Sequence, residues 1–143
     1  MPSHSEKKTL PYKPEQMFDM VADVAAYPDF LPWCVATRIR SVDETHLVAD
    51  MVIGFKMFRE QFTSRVTLER PNVILVEYEN GPFKYLKNRW KFDPDGSGCC
   101  LVDFDVEFEF RSAILEMAIG KVFTEAVIRM VNAFEKRAKI LYG

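Results

Sequence analysis

Few residues in this sequence have the type and spacing needed for acid, base or nucleophilic chemistry. Glu60 is the candidate carboxylate, because it falls among the apolar residues of one face of a strand predicted over residues 57–69. A carboxylate facing an apolar cavity can hydrogen-bond a ligand head group, or act as an acid or base with a raised pKa. The alternative is that Glu60 lies at an exposed strand end or beside a bulge.

The cysteines, histidines and sequence motifs of this chain give little support for nucleophilic or metal-dependent catalysis. The three cysteines, Cys34, Cys99 and Cys100, form no CxxC pair, so we expect reduced thiols that serve packing. The two histidines, His4 and His46, lie far apart in polar surroundings, and we expect surface residues and no histidine metal site. The sequence motifs of serine hydrolases, P-loop proteins, dinucleotide-binding enzymes and zinc proteases are absent. These patterns favour a protein that is not an enzyme.

Composition predicts a single domain over residues 1–143. The chain is 48% hydrophobic and 28% charged with a net charge of -2, which argues against DNA or another nucleic acid as the main partner. The longest stretch without a charged residue, residues 30–37, is too short to span a bilayer. The first ten residues lack the patterns of a secretory signal and of a mitochondrial presequence. We therefore expect a cytoplasmic protein, with peripheral contact at the inner membrane as a further option.

Hydrophobic periodicity predicts the elements that must position these residues. A first strand over residues 3–10 precedes a helix from Pro14 to about Ala25. The run Tyr27 to Cys34 follows as an irregular aromatic loop, because its two prolines exclude both helix and interior strand. A long amphipathic helix follows Ser112 and runs over residues 113–142. Between them, period-two patterning and regular turn signals predict six strands in an antiparallel meander, over residues 35–42, 46–54, 57–69, 73–79, 84–93 and 99–110.

The last two of these strands carry rows of opposite charge on one face. Folding them about the turn at residues 93–98 places the basic row beside the acidic row, so we favour a structural charge ladder over an RNA-binding surface. The two rows are Lys87, Arg89 and Lys91, and Asp103, Asp105 and Glu107.

The long helix must cover the one available sheet, which predicts an α+β fold with a curved antiparallel sheet wrapped around the C-terminal helix. A bent sheet cannot contact a straight helix along its whole length, and the gap is a natural pocket. The twelve Phe, five Tyr and two Trp residues are compatible either with a filled core or with a cavity for a bulky apolar ligand.

Two apolar stretches are irregular and therefore candidates for function. Phe30, Leu31, Pro32 and Trp33 occupy a proline-containing loop that either gates the pocket or plugs one end of the sheet. Residues 113–119 are apolar around the first turns of the last helix, and we expect them to meet the loop, a ligand, a partner or a membrane interface.

Three motifs occur in order along the chain: the run Tyr27 to Cys34, then Gly81-Pro82-Phe83 with Leu86, Trp90 and Phe92, and finally Phe108 and Phe110 before the last helix. Together they resemble the coenzyme Q-binding branch of the START-type, polyketide cyclase-like superfamily. The resemblance implies a helix-grip fold whose hydrophobic tunnel holds the isoprenoid tail of ubiquinone and supports respiratory electron transport or quinone biosynthesis. A bacterial branch with the same motifs is a ribosome-associated toxin that blocks subunit joining, and the motifs do not separate the two.

We therefore expect a START-like lipid-binding domain that binds ubiquinone or a similar prenyl lipid as its ligand, with no other cofactor. Glu60 is the candidate polar contact to the head group. The alternatives are a ribosome-associated inhibitor of translation and a cyclase-like enzyme that uses Glu60. The predicted binding residues are Phe30, Leu31, Pro32 and Trp33 at the entry rim, Phe83, Leu86, Trp90, Val106 and Phe108 in the sheet wall, and Val122, Phe123 and Val127 on the helix.

Overall fold

Seven antiparallel strands form one sheet in the order β1-β7-β6-β5-β4-β3-β2 in the computed structural model of the protein. Residues 3–55, 58–81 and 83–143 are described, with the backbone alone for residues 55, 58, 79, 80, 119 and 122. The elements are β1 (Ser3–Leu10), α1 (Pro14–Ala22), a 3-10 helix (Val24–Asp29), β2 (Cys34–Val42), β3 (His46–Phe55), β4 (Phe58–Glu69), β5 (Val73–Asn80), β6 (Phe83–Pro94), β7 (Cys100–Phe110) and α2 (Ala113–Tyr142).

The predicted meander is confirmed, and β1 completes the sheet by pairing antiparallel to β7. Ser3 lies opposite Glu107, and Leu10 lies opposite Cys100. Helix α2 begins as predicted at Ser112, whose Oγ accepts a hydrogen bond of 3.2 Å from the amide of Leu115. The architecture is the predicted curved sheet with a long C-terminal helix across one face.

The sequence prediction was wrong between α1 and β2. It extended the first helix to about Ala25 and made Tyr27 to Cys34 irregular, whereas α1 ends at Ala22 and a 3-10 helix spans Val24–Asp29. Pro28 fits inside this helix because the amide of Phe30 donates to the carbonyl of Tyr27 at 3.2 Å. Pro28 is then the second residue of a turn, a position that suits its fixed φ and needs no amide hydrogen.

The inward faces of β6 and β7 supply much of the core, as their alternating patterns predict. Phe92 and Phe104 are almost fully buried, and α2 adds Phe134 and Ala138 from the opposite side. By contrast, the first turns of α2 are exposed, with Ile114 at 79% and Met117 at 88% of their full accessibility. No helix within the described ranges is long and apolar enough to cross a membrane.

The predicted charge ladder is present on the outer face. The register places Lys87 opposite Glu107, Arg89 opposite Asp105 and Lys91 opposite Asp103. Arg89 Nη2 and Asp105 Oδ2 are 2.9 Å apart. Because each basic residue has an acidic neighbour, this part of the sheet does not present a uniformly basic surface.

A second charged group on the outer face, Asp50 of β3, is 4% exposed. Its carboxylate accepts hydrogen bonds from Thr63 Oγ1 at 2.6 Å and from Arg40 Nε at 2.7 Å. These two bonds hold the pKa of Asp50 below its usual value, because they stabilise the charged form.

We expect this carboxylate to stabilise the fold in a pH-dependent way. Its pKa is lower in the folded than in the unfolded chain, so the stabilisation is present above the unfolded pKa of about 3.9 and is lost as pH falls through the folded pKa. Asp50→Asn should lower the urea midpoint at neutral pH, and the difference between the two proteins should shrink as pH falls below about 3.9 and through the folded pKa of Asp50. Glu107→Gln on the charge ladder is the control, for which we expect a small effect. A pH-independent difference between wild type and Asp50→Asn would contradict the prediction.

Candidate functional site

A cavity of about 150 Å³ lies between the concave face of the sheet and α2. Strands β3 to β7 form one wall, α2 forms the opposite wall, and the 3-10 helix with the following loop closes one end. No charged side chain of the described residues lines it. Apart from the indoles, the polar groups in the lining are the Tyr27 hydroxyl, the Cys34 thiol, the Ser64 hydroxyl and the Asn88 amide.

Eight of the predicted binding residues meet in this cavity. They come from the rim loop, the sheet wall and the helix, so the three predicted groups surround a single space. The eight are Leu31, Pro32 and Trp33 of the loop, Leu86, Trp90 and Val106 of the sheet, and Phe123 and Val127 of α2.

Three predicted residues lie outside the cavity lining. Phe83 and Phe108 are 2% exposed and pack behind the wall, with ring centroids 4.9 and 4.7 Å from the ring of Phe123. Phe30 packs edge to face on Phe134 at 5.3 Å. The side chain of Val122 lies outside the described part of the chain.

Glu60 does not line the cavity. It is half-buried near the start of β4, opposite Ile53 of β3, on the same face as Phe62 and Ser64. The alternation that suggested an inward position therefore holds. However, Glu60 lies two residues beyond Phe62 toward the β3-β4 hairpin, and although its neighbour Ile53 lines the cavity, Glu60 itself does not.

Sequence analysis missed the contribution of β3 to β5, including Ala49, Met51 and Ile74. It also missed Asn88, although a single amide between Leu86 and Trp90 in an inward-facing row was a usable signal. Asn88 Oδ1 accepts from Trp90 Nε1 at 3.0 Å, and Nδ2 donates to the carbonyl of Asp105 at 2.8 Å. Asn88 thereby fixes the Trp90 indole in the cavity wall.

Helix α2 holds the rim loop over the end of the cavity. The guanidinium of Arg129 lies 5.4 Å from the centroid of the Trp33 ring, and that of Arg137 lies 5.1 Å from the Phe30 ring. These are cation–π distances. Trp33 has a φ of 63°, a left-handed conformation that is unfavourable for a tryptophan and must be held by its surroundings.

We expect removal of both guanidinium groups to loosen this loop. In the double variant Arg129→Gln, Arg137→Gln, amides of residues 30–34 should exchange with deuterium several-fold faster, since each contact contributes about 0.5–1 kcal/mol. Amides of β6 should be unaffected. Lys139→Gln, another exposed basic residue of α2, is the control. Equally faster amide exchange in the loop and in β6 would indicate general destabilisation. That result would contradict a local effect of the two arginines on the loop.

The ionisable groups in the lining are protonated at neutral pH. Burial raises the pKa of the Cys34 thiol to about 11, and a protonated thiol is a poor nucleophile. Burial also raises the pKa of Tyr27, whose hydroxyl donates to the carbonyl of Val21. Cys34, Cys99 and Cys100 are free thiols, as predicted. Within the ranges described above, no cluster of His, Cys, Asp and Glu residues is arranged to hold a metal ion.

The cavity offers an apolar surface to a molecule of matching size. Comparison with known proteins shows which proteins the chain is similar to. A ribosome association toxin, RatA, of Rickettsia prowazekii is 43% identical, with 97% of each chain covered. The mitochondrial coenzyme Q-binding protein COQ10 homolog B of Xenopus laevis is 36% identical over 98% of this chain and 59% of that protein. An 18 kDa protein of Caulobacter crescentus, solved in solution, superposes with a TM-score of 0.77 and 38% identity, covering 100% of this chain and 99% of that one. A family model described as polyketide cyclase/dehydrase and lipid transport matches residues 10–135, and the chain therefore belongs to that family.

Proposed function

We propose that the protein binds a prenyl quinone such as ubiquinone and acts as its carrier or chaperone, without catalysing a reaction. The observation that carries this proposal is the apolar cavity between the sheet and α2, which lacks charged residues in its described lining. Each Å² of apolar surface removed from water contributes about 25 cal/mol, so a ligand whose buried part is mostly apolar needs few polar contacts to bind. The name of the Xenopus relative supports the same ligand class.

The size of the cavity limits how such a ligand is held. Its volume of about 150 Å³ matches that of engineered apolar cavities that accept benzene, and is below the roughly 300–1,000 Å³ of typical ligand pockets. A ring-sized group fits, and a long tail does not. We therefore expect the tail to pass the rim loop at Leu31 to Trp33, which must move, and to reach a membrane surface where prenyl quinones reside.

Co-purification tests this proposal. The protein is expressed in a host that makes quinones, purified without detergent, extracted with organic solvent and analysed by mass spectrometry. We expect a prenyl quinone in the extract of the wild type, and much less in that of Ala126→Phe, a variant that fills the cavity. Failure of the wild type to retain quinone, or to bind added short-chain ubiquinone, would overturn the proposal.

Association with ribosomes is the second candidate function. The observation that favours it is the 43% identity, along almost the whole chain, to the Rickettsia protein named for ribosome association. In this chain the exposed apolar side chains of Ile114 and Met117 offer a contact surface. Sucrose-gradient sedimentation with ribosomal subunits at low salt tests it. Wild type should move with a subunit and Ile114→Asp, Met117→Asp should remain at the top, whereas wild type at the top would refute this candidate.

A further inference from the structure

We propose that the hydroxyl of Ser64, with the amide of Asn88 on the same face of the sheet, is the polar contact of the cavity and selects a ligand with a carbonyl oxygen. This inference rests on the proposed function, because it concerns the same cavity. It assigns head-group recognition to two residues in the middle of the sheet in place of Glu60 at its end.

The hydroxyl of Ser64 is a donor that faces the cavity. Ser64 lies on β4 between Ala49 of β3 and Tyr78 of β5, is 8% exposed and lines the cavity. No hydrogen bond joins its hydroxyl to another of the described residues. Because no fully buried side-chain oxygen of these residues is left unpaired, the Ser64 hydroxyl must be open to the cavity that it lines. Buried hydroxyl groups are normally paired, because an unpaired one loses its bonds to water without compensation. An unpaired hydroxyl in an apolar wall is therefore a place where a bound molecule completes the bond.

Asn88 supplies a second donor in a fixed orientation. The indole nitrogen of Trp90 can only donate, so the atom of Asn88 that it contacts at 3.0 Å must be the oxygen. The nitrogen then faces the carbonyl of Asp105 and uses one of its two hydrogens there. Among the described residues, the other hydrogen has no acceptor. Asn88, like Ser64, is 8% exposed and lines the cavity.

The two donors face the same space from different strands. Strand β5 lies between them, with Tyr78 opposite Ser64 and Val76 opposite Asn88. The donors are thus two strands apart and offset by one inward-facing position. A ring with carbonyl oxygens at opposite ends, as in a para-quinone, offers an acceptor to each side of this space.

The apolar lining around Ser64 and Asn88 makes the cavity selective between carbonyl compounds and hydrocarbons. A hydrocarbon in the cavity would leave both donors unpaired, whereas a carbonyl compound would satisfy at least one of them. Sites with buried hydrogen-bonding groups discriminate strongly against analogues that lack the complementary group. We therefore expect the cavity to prefer a quinone over a hydrocarbon of the same shape.

Two probes that differ in their carbonyl groups test the inference. Menadione is a two-ring quinone without a prenyl chain, and 2-methylnaphthalene has the same carbon skeleton without the oxygens. Equilibrium dialysis measures the affinity of each for wild type, Ser64→Ala and the control Ser5→Ala, which changes an exposed serine of β1. We expect Ser64→Ala to weaken menadione binding about three- to tenfold, to leave 2-methylnaphthalene unchanged within about twofold, and Ser5→Ala to alter neither.

The outcomes separate this inference from the proposed function. Unchanged menadione affinity in Ser64→Ala, or an equal loss for both probes, would overturn the role of Ser64 while apolar ligand binding still stands. If wild type binds neither probe, the proposed function itself fails and the inference with it. Urea denaturation of Ser64→Ala, expected to match wild type closely, excludes loss of folding as the cause of a weaker affinity.

Discussion

Ala126→Phe is expected to reduce menadione affinity at least about tenfold while the protein remains folded. Ala126 lines the cavity from α2, and the substitution adds a phenyl group to a space of benzene-like size. The added ring would occupy the volume that a ligand ring needs. Because the space is already empty, the overpacking cost of about 1–3 kcal/mol seen in filled cores should be largely avoided. Equilibrium dialysis measures the affinity, and urea denaturation measures the free energy of unfolding.

The matched control for this experiment is Thr124→Phe. Thr124 lies two residues earlier on α2 and is exposed, so the same ring is added on the solvent side of the same helix. The Thr124→Phe variant should bind menadione with the same affinity as the wild type. Wild-type affinity in Ala126→Phe would show that the ligand binds elsewhere, and the cavity would then no longer support the proposed function.

The main architecture was predictable because its signals are local. The alternation of charged and apolar residues in β6 and β7 determined both the ladder register and the buried face, and Ser112 marked the start of α2. The pairing of β1 with β7 was not predictable, since it joins segments about a hundred residues apart. The 3-10 helix was missed because the hydrogen bonds from the amides of Phe30 and Leu31 to the Tyr27 carbonyl decide how Pro28 is accommodated.

The candidate site was predicted in position and missed in detail. Alternation identifies which residues face inward, but it does not show where side chains fill the space between sheet and helix. The aromatic excess in fact serves both alternatives that the composition left open. Phe83 packs with Phe110 and Phe123 to fill one end of the core, with its ring centroid 5.1 Å from that of Phe110, while a cavity remains toward the rim loop.

The rim contacts show a different limit of sequence reasoning. The loop itself was identified from Phe30 to Trp33, but nothing in the sequence indicated that Arg129 and Arg137 would lie over its rings. Those contacts depend on the rotation of α2 about its own axis. That rotation is set by the packing of the whole helix on the sheet. Contacts far from the loop therefore decide whether an exposed arginine of α2 lies over it.

Phe134→Ala is expected to lower the free energy of unfolding by about 3–5 kcal/mol, because it removes a fully buried ring. Phe134 is 3% exposed, and its ring centroid lies 5.4 Å from that of Tyr27, 5.3 Å from that of Phe30 and 5.1 Å from that of Trp90. One side chain thus joins α2 to the 3-10 helix, the rim loop and the sheet. Urea denaturation measures the loss, and Ile128→Ala, at a half-exposed position of α2, should cost far less.

The same variant should change which ligands fit. Phe134 and Trp90 line both the main cavity and a smaller void of about 20 Å³ on the side of β1 and β7. Removing the Phe134 ring would connect the two spaces and add its own volume, so a longer prenyl chain gains room. We expect Phe134→Ala to bind a two-isoprene ubiquinone more tightly relative to menadione than wild type does. An unchanged ratio, in a variant that is still folded, would mean that the Phe134 ring does not limit how far a ligand penetrates between the sheet and α2.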